Sequence, residues 1–177
     1  MSRGLIVATV ALIGIATWGW QDHRPPPPIA WDPPMVAALT ADLSDAKGEA
    51  APPRTLANAQ RILLYISASW CPACQEFTPR LVDFYREHGG GKAFQLLFLS
   101  CDEDAGEMRA YMRGYDMPWW GVRYHSASSK LLGTAYPGDT IPRLVLLDGE
   151  GHVLADGMVN GRRIGPDAVL EALAAGR

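Results

Sequence analysis

Cys71 and Cys74 stand with two residues between them in the run Trp70-Cys71-Pro72-Ala73-Cys74, a spacing suited to thiol–disulfide exchange. One turn of helix across Pro72 and Ala73 brings both sulfurs within disulfide range. The run Arg61–Ala68 in front of them reads as a strand, and an amphipathic helix follows. A helix starting at such a junction aims its unpaired N–H groups and the positive end of its dipole at the first sulfur. Both favour the thiolate, the form that attacks a disulfide. Cys71 is therefore expected as the exposed nucleophile, and Cys74, one turn in, as the more buried resolving thiol. The same pair could serve a zinc site or an inert bridge. A structural zinc needs four ligands, whereas His23, His88, His125 and His152 are scattered singly and no second C-x-x-C exists. A bridge across so short a loop removes little unfolded-state entropy.

The flanking patterns supply the frame. Met35–Ala46 reads as a short helix with Val36, Leu39 and Leu43 on one face, and Gly48–Ala59, broken by Pro52 and Pro53, as a loop. Arg61–Ser67 is nearly continuously apolar, as a strand covered on both faces should be. The helix from Pro72 to His88 turns Phe77, Leu81, Phe84 and Tyr85 inward, is expected to kink at Pro79, and ends at Gly89-Gly90-Gly91. A second apolar strand is predicted over Ala93–Ser100. Asp102, Glu103 and Asp104 then place acid at the start of a helix whose Met108, Tyr111, Met112 and Tyr115 recur at core spacing. After Ile141-Pro142 comes a hairpin, Arg143–Leu147 and His152–Ala155, around the turn Asp148-Gly149-Glu150-Gly151. Gly165-Pro166-Asp167 opens a last helix with Val169, Leu170 and Leu173 on one face. The sum is an α/β protein in which a parallel β-α-β unit is followed by an antiparallel hairpin, with helices flanking a mixed sheet. With C-x-x-C after the first strand, that order points to a thioredoxin fold.

Composition narrows the rest. A chain of 177 residues, 48% hydrophobic and 20% charged, suits one globular domain with extensions. A net charge of −3 without basic runs gives no case for nucleic acid as a partner. Three cysteines are too few for a disulfide scaffold, which leaves Cys101 to be read as a buried inert thiol or as a regulatory or auxiliary one. Residues 1–24 read as a segment outside the fold. Arg3 precedes an uncharged, mostly apolar run from Gly4 to Trp20, about 26 Å long as a helix, with Trp18 and Trp20 at an interfacial position. A signal peptide and an uncleaved anchor both fit. The tryptophans after Gly14-Ile15-Ala16 make a poor polar exit region, which favours the anchor. With Arg3 on the cytoplasmic side of a bacterial inner membrane, the remainder would face the periplasm. Residues 25–34, PPPPIAWDPP, read as a polyproline II stalk, and residues 35–177 as the domain.

Several segments resemble the tryparedoxin and nucleoredoxin branch of the thioredoxin superfamily. They are Tyr65-Ile66-Ser67-Ala68-Ser69-Trp70-Cys71-Pro72, Phe77-Thr78-Pro79 with Leu81, Phe84 and Tyr85, Ser100 with Asp102-Glu103-Asp104, Met117-Pro118-Trp119, and Ile141-Pro142 leading into Leu144–Asp148. The anchor and stalk lie outside the resemblance and suggest a membrane-tethered bacterial relative. The resemblance implies that Cys71 and Cys74 are the redox pair and that Pro142 is a cis-proline packed opposite them. Ile141 would offer backbone to an extended substrate segment, and Trp70 and Pro72 would flank the sulfurs as a substrate surface. Besides Cys101 at the end of the second strand, other positions depart from the family pattern. Ala73 replaces a common proline, Gln75-Glu76 replaces a basic residue, and Tyr65 stands where thioredoxins proper carry a buried acid. The base for Cys74 must then be water or another carboxylate, with Glu76 as the candidate.

The implied activity is thiol–disulfide oxidoreduction of the protein-disulfide reductase type, requiring no metal or organic cofactor. Cys71 attacks a protein disulfide, a mixed disulfide forms, and Cys74 displaces the reduced product. Reducing turnover in a periplasm calls for an electron source such as a membrane thiol transporter, whose effective concentration a tether would raise. Two other readings make different demands. A non-catalytic binding or copper-delivery module needs imidazole close to the sulfurs, with His125 and His152 available. A thiol peroxidase would pair Cys71 with Cys101.

Overall fold

The structure, a computed structural model, describes residues 29–159 and 162–176. Along the chain run α1 (Pro33–Ala41), β1 (Leu43–Ser44), β2 (Arg61–Ser67), α2 (Pro72–Glu87), β3 (Gln95–Ser100), α3 (Ala105–Gly114) and β4 (Trp120–Val122). There follow α4 (Ala127–Ala135), β5 (Arg143–Asp148), β6 (Val153–Ala155), β7 (Met158–Val159), β8 (Arg162–Arg163) and α5 (Asp167–Ala174). Six strands form one sheet in the order β1-β4-β3-β2-β5-β6. β2 pairs parallel with β3 and antiparallel with β5, so the sheet is mixed, as expected of a thioredoxin fold.

The apolar runs explain why β2, β3 and β5 are central. Side chains alternate across a strand, so a continuous apolar run feeds two cores at once. Leu63, Tyr65, Leu96, Phe98, Leu144 and Leu146 enter one core, together with Phe77, Leu81 and Tyr85 of α2 and Met108, Tyr111 and Met112 of α3. Ile62, Leu64, Leu97, Leu99, Val145 and Leu147 enter the other, with Leu39 of α1 and Leu132 of α4. Pro79 lies within α2 without ending it, and Gly89, at φ 73°, follows the His88 cap.

Several boundaries differ from the sequence expectation. The helix expected over 35–46 stops at Ala41, and Leu43 and Ser44 pair with β4 instead. Leu43 lies four residues after Leu39, so one apolar position satisfies either the helix stripe or the strand. The same helix begins at Pro33, inside the span expected as stalk, because Asp32 caps it and prolines are pre-set for a first turn. Trp31 also packs on the domain, donating its indole N–H to Tyr136 at 2.8 Å. The apolar run 4–20 and residues 21–28 lie outside the described residues. Among the described residues no helix is long and apolar enough to cross a membrane.

Candidate active site

Cys71 is the N-cap of α2, and its extended backbone turns the sulfur onto the first turn. The Cys74 N–H donates to Cys71 Sγ at 3.2 Å, and Pro72 opens the helix where an N–H would otherwise lack a partner. The expected helix-terminus amide on the first sulfur is therefore in place. Both thiols are free. Cys74 is fully buried. Cys71 is the more accessible of the two but only 6% exposed, not the open sulfur expected, because Ile141 packs over the pair. The Ile141 carbonyl lies 3.9 Å from Cys71 Sγ. The Ile141–Pro142 peptide is cis, and Pro142 is buried at the entrance to β5. Trp70 stands 59% exposed beside the pair, with its indole N–H on the Cys101 carbonyl at 3.2 Å, and Pro72 is exposed.

Beneath Cys74 lies a cluster of buried hydroxyls contributed by three elements. Thr78 sits one turn past Cys74 on α2 and donates to the Cys74 carbonyl at 2.7 Å. Tyr65 reaches Thr78 Oγ1 at 2.8 Å, Tyr111 reaches it at 2.5 Å, and Ser67 lies 3.2 Å from the Tyr111 hydroxyl. Burial, then the hydrogen bond with Cys71, pushes the Cys74 thiol up from 9 to about 11, while Ser67 and the Ala68 backbone pull it down. Burial likewise pushes the Tyr65 phenol far up. With Tyr65 in place of a buried acid, the groups clustered beneath Cys74 are neutral hydroxyls. Glu76, the carboxylate expected as the base, is exposed on α2.

Asp102 has a role the sequence reading missed. Asp104, not Asp102, caps α3, accepting from Gly106 and Glu107. Asp102 is buried and accepts the Ser69 N–H at 2.6 Å and the Ser100 hydroxyl at 2.7 Å, fastening the segment that leads into Cys71. The Tyr124 hydroxyl donates to the carbonyls of Asp102 and Glu103. The signal was a buried-type spacing, Ser100-x-Asp102 at a strand end, which composition alone does not separate from a helix cap. Cys101 is exposed, so the expectation of a buried inert thiol is corrected: the residue lies one position past the end of β3. Partial burial, Asp102 and Cys71 push its thiol up. His125 lines a cleft with Cys101, but among the described residues neither it nor His152 forms a metal-ligating group with a cysteine. Among the described residues, the group with metal-ligating spacing is Asp148, Glu150 and His152, at the other end of β5.

This arrangement defines a dithiol site at the carboxyl end of a mixed sheet, the setting of thioredoxin-type redox chemistry. A family model described as "Thioredoxin-like" matches residues 59–153, and the chain belongs to that family. The tryparedoxin of Trypanosoma brucei brucei is 34% identical over 90 residues, covering 50% of this chain and 61% of the relative. Probable nucleoredoxin 1 of Arabidopsis thaliana is 36% identical over 111 residues, covering 62% of this chain and 19% of the relative. The chain thus spans between about a fifth and three fifths of these relatives' lengths. The solved thioredoxin of Wuchereria bancrofti matches with a TM-score of 0.63 at 29% identity, covering 78% of this chain and 97% of that one. Tryparedoxin II of C. fasciculata matches with a TM-score of 0.58 at 28% identity, covering 69% and 84%.

Proposed function

We propose that this chain reduces protein disulfides through Cys71 and Cys74. The Cys71 thiolate attacks one substrate sulfur, and the other leaves as a thiolate that takes up a proton. Cys74 gives up its proton and attacks Cys71 Sγ, which releases the second substrate thiol and leaves the Cys71–Cys74 disulfide. Two electrons pass to the substrate. The observation that carries this reading is the Cys74 N–H on Cys71 Sγ at 3.2 Å, with Cys74 buried one turn behind. The raised Cys74 thiol fits the order of events: below about pH 9 it stays protonated and does not compete for substrate. Trp70, Pro72, Ile141 and Pro142 form the surface offered to the substrate segment.

The test is insulin-disulfide reduction with dithiothreitol as reductant. Cys71→Ser abolishes it, and Cys74→Ser retains attack but stalls as a mixed disulfide. Equal activity in wild type and Cys71→Ser rejects the reading. We further propose that residues 1–24 tether the domain to a bacterial inner membrane, facing the periplasm, with a membrane thiol transporter as electron donor. The uncharged run from Gly4 to Trp20 and the prolines after it support this. Release of the full chain from membranes by alkaline carbonate speaks against it.

A further inference from the structure

We propose that the cleft between α4 and the carboxyl ends of β2, β3 and β4 binds an acidic side chain of the substrate segment, with Lys130 as its cationic partner. The inference rests on the disulfide exchange above and supplies its specificity. The cleft holds about 300 Å³, at the small end of ligand cavities, with room for a side chain rather than a domain. It lies outside the carboxyl ends of the parallel strands, where open α/β sheets place ligands.

Buried Leu99, Val122 and Tyr136 give it an apolar wall, while Lys130, Arg143 and His125 supply its charge and polarity. Among the described residues no aspartate or glutamate lines it, although the chain as a whole carries a net charge of −3. Arg143 spends Nη1 on the carbonyls of Tyr136 and Pro137 and lies against Gly138, where a Cβ would stand 2.6 Å from Nη1. The acids acting on Arg143, Asp139 and Asp156, line the adjoining cleft instead. Lys130 is exposed on α4 and, like Arg143, takes part in no ion pair among the described residues; unlike the Arg143 Nη1 it has no carbonyl partner among them, so its ammonium is the cation placed to meet an acid. His125 holds φ 53° with its ring stacked 4.0 Å from Tyr124, a backbone conformation that concentrates at ligand-binding positions.

Continuity with the cysteines sets where the acid sits. Thr140 lines the cleft and precedes Ile141, whose carbonyl is 3.9 Å from Cys71 Sγ. An extended segment passing Ile141 advances about 7 Å in two residues, which carries a side chain flanking the substrate cysteine over the cleft.

The test uses the reduced full chain and disulfide-linked peptides with Glu, Gln or Lys two residues from the cysteine. Wild type reduces the Glu peptide up to about fivefold faster than the Lys peptide, the upper end for one exposed charge pair. The preference vanishes in Lys130→Gln and inverts in Lys130→Glu. The same ranking in all three proteins overturns the proposal. A second arm needs no disulfide exchange. In Cys71→Ser/Cys74→Ser, Cys101, which lines the cleft, reports on it through its alkylation by iodoacetate relative to iodoacetamide, a ratio in which the thiolate fraction cancels. Adding Lys130→Glu lowers that ratio about threefold, and an unchanged ratio overturns the cleft assignment. Failure of peptide reduction with a Lys130-dependent alkylation ratio would instead count against the exchange reading alone.

Discussion

Replacing Thr78 by valine keeps the side chain's shape and deletes the hydroxyl at the centre of the cluster under Cys74. Thr78 has one proton, given to the Cys74 carbonyl, and its lone pairs receive the Tyr65 and Tyr111 phenols. Without it, both phenols must compete for Ser67, and one buried O–H goes unsatisfied. An orphaned buried donor costs about 1–3 kcal/mol, and each net hydrogen bond lost costs about 1 kcal/mol. Thr78→Val should therefore destabilise the reduced chain by about 2–4 kcal/mol. Thr78→Ser keeps the hydroxyl and removes one methyl, a loss of about 1 kcal/mol. Urea unfolding at neutral pH, with matched m-values, reads both. A valine variant within about 0.5 kcal/mol of wild type, or a serine variant as damaged as the valine one, would refute the role given to the cluster.

Asp102→Ala removes the acceptor of the Ser69 N–H and the Ser100 hydroxyl. It should lower stability by about 1–3 kcal/mol and speed amide exchange at Ser69, both measurable on the reduced chain. The raised Cys74 thiol gives a pH dependence of definite sign. The unfolded chain releases that proton first, so stability is full below about pH 8.5–9 and falls as pH rises toward about 11. Cys74→Ala should lack that part of the decline, about 2 kcal/mol at most, when unfolding is compared at pH 8 and near pH 10.5. By contrast, the Arg80–Asp167 ion pair, 2.7 Å long with both side chains more than half exposed, should contribute little. Asp167→Asn should shift stability by less than about 1 kcal/mol in the same assay.

What the sequence made legible follows from how many residues state the same message. β2, β3 and β5 each carry a continuous apolar run and α2 a helical stripe, six or more residues apiece with one pattern, and the cysteines mark the junction of β2 and α2. The short elements escaped. β4 has only three residues, Trp120–Val122, and its partner β1 has two, so neither shows a period. α4 spends its first turn on Ala127, Ser128 and Ser129, which read equally as loop, and is revealed by the Ser126 cap only once Ser129 is seen to donate to it. The cis peptide at Pro142 was reachable through family resemblance, since a proline before a strand has no local mark of its isomer. The site's inner partners were invisible for another reason. Thr78, Tyr111 and Asp102 look like ordinary helix or cap residues until the fold brings α2, α3 and the end of β3 together. Exposure of Cys101 turns on one residue of register at the end of β3.

Trapping the mixed disulfide tests the central claim most directly. Reduced Cys74→Ser, incubated with a protein disulfide and acid-quenched, is digested and its adduct located by mass spectrometry. The account predicts a single substrate bond at Cys71 that free dithiothreitol removes, and in wild type a Cys71–Cys74 bridge in its place. A chain that acquires no adduct, or acquires it at Cys101 with Cys71 left free, contradicts the account.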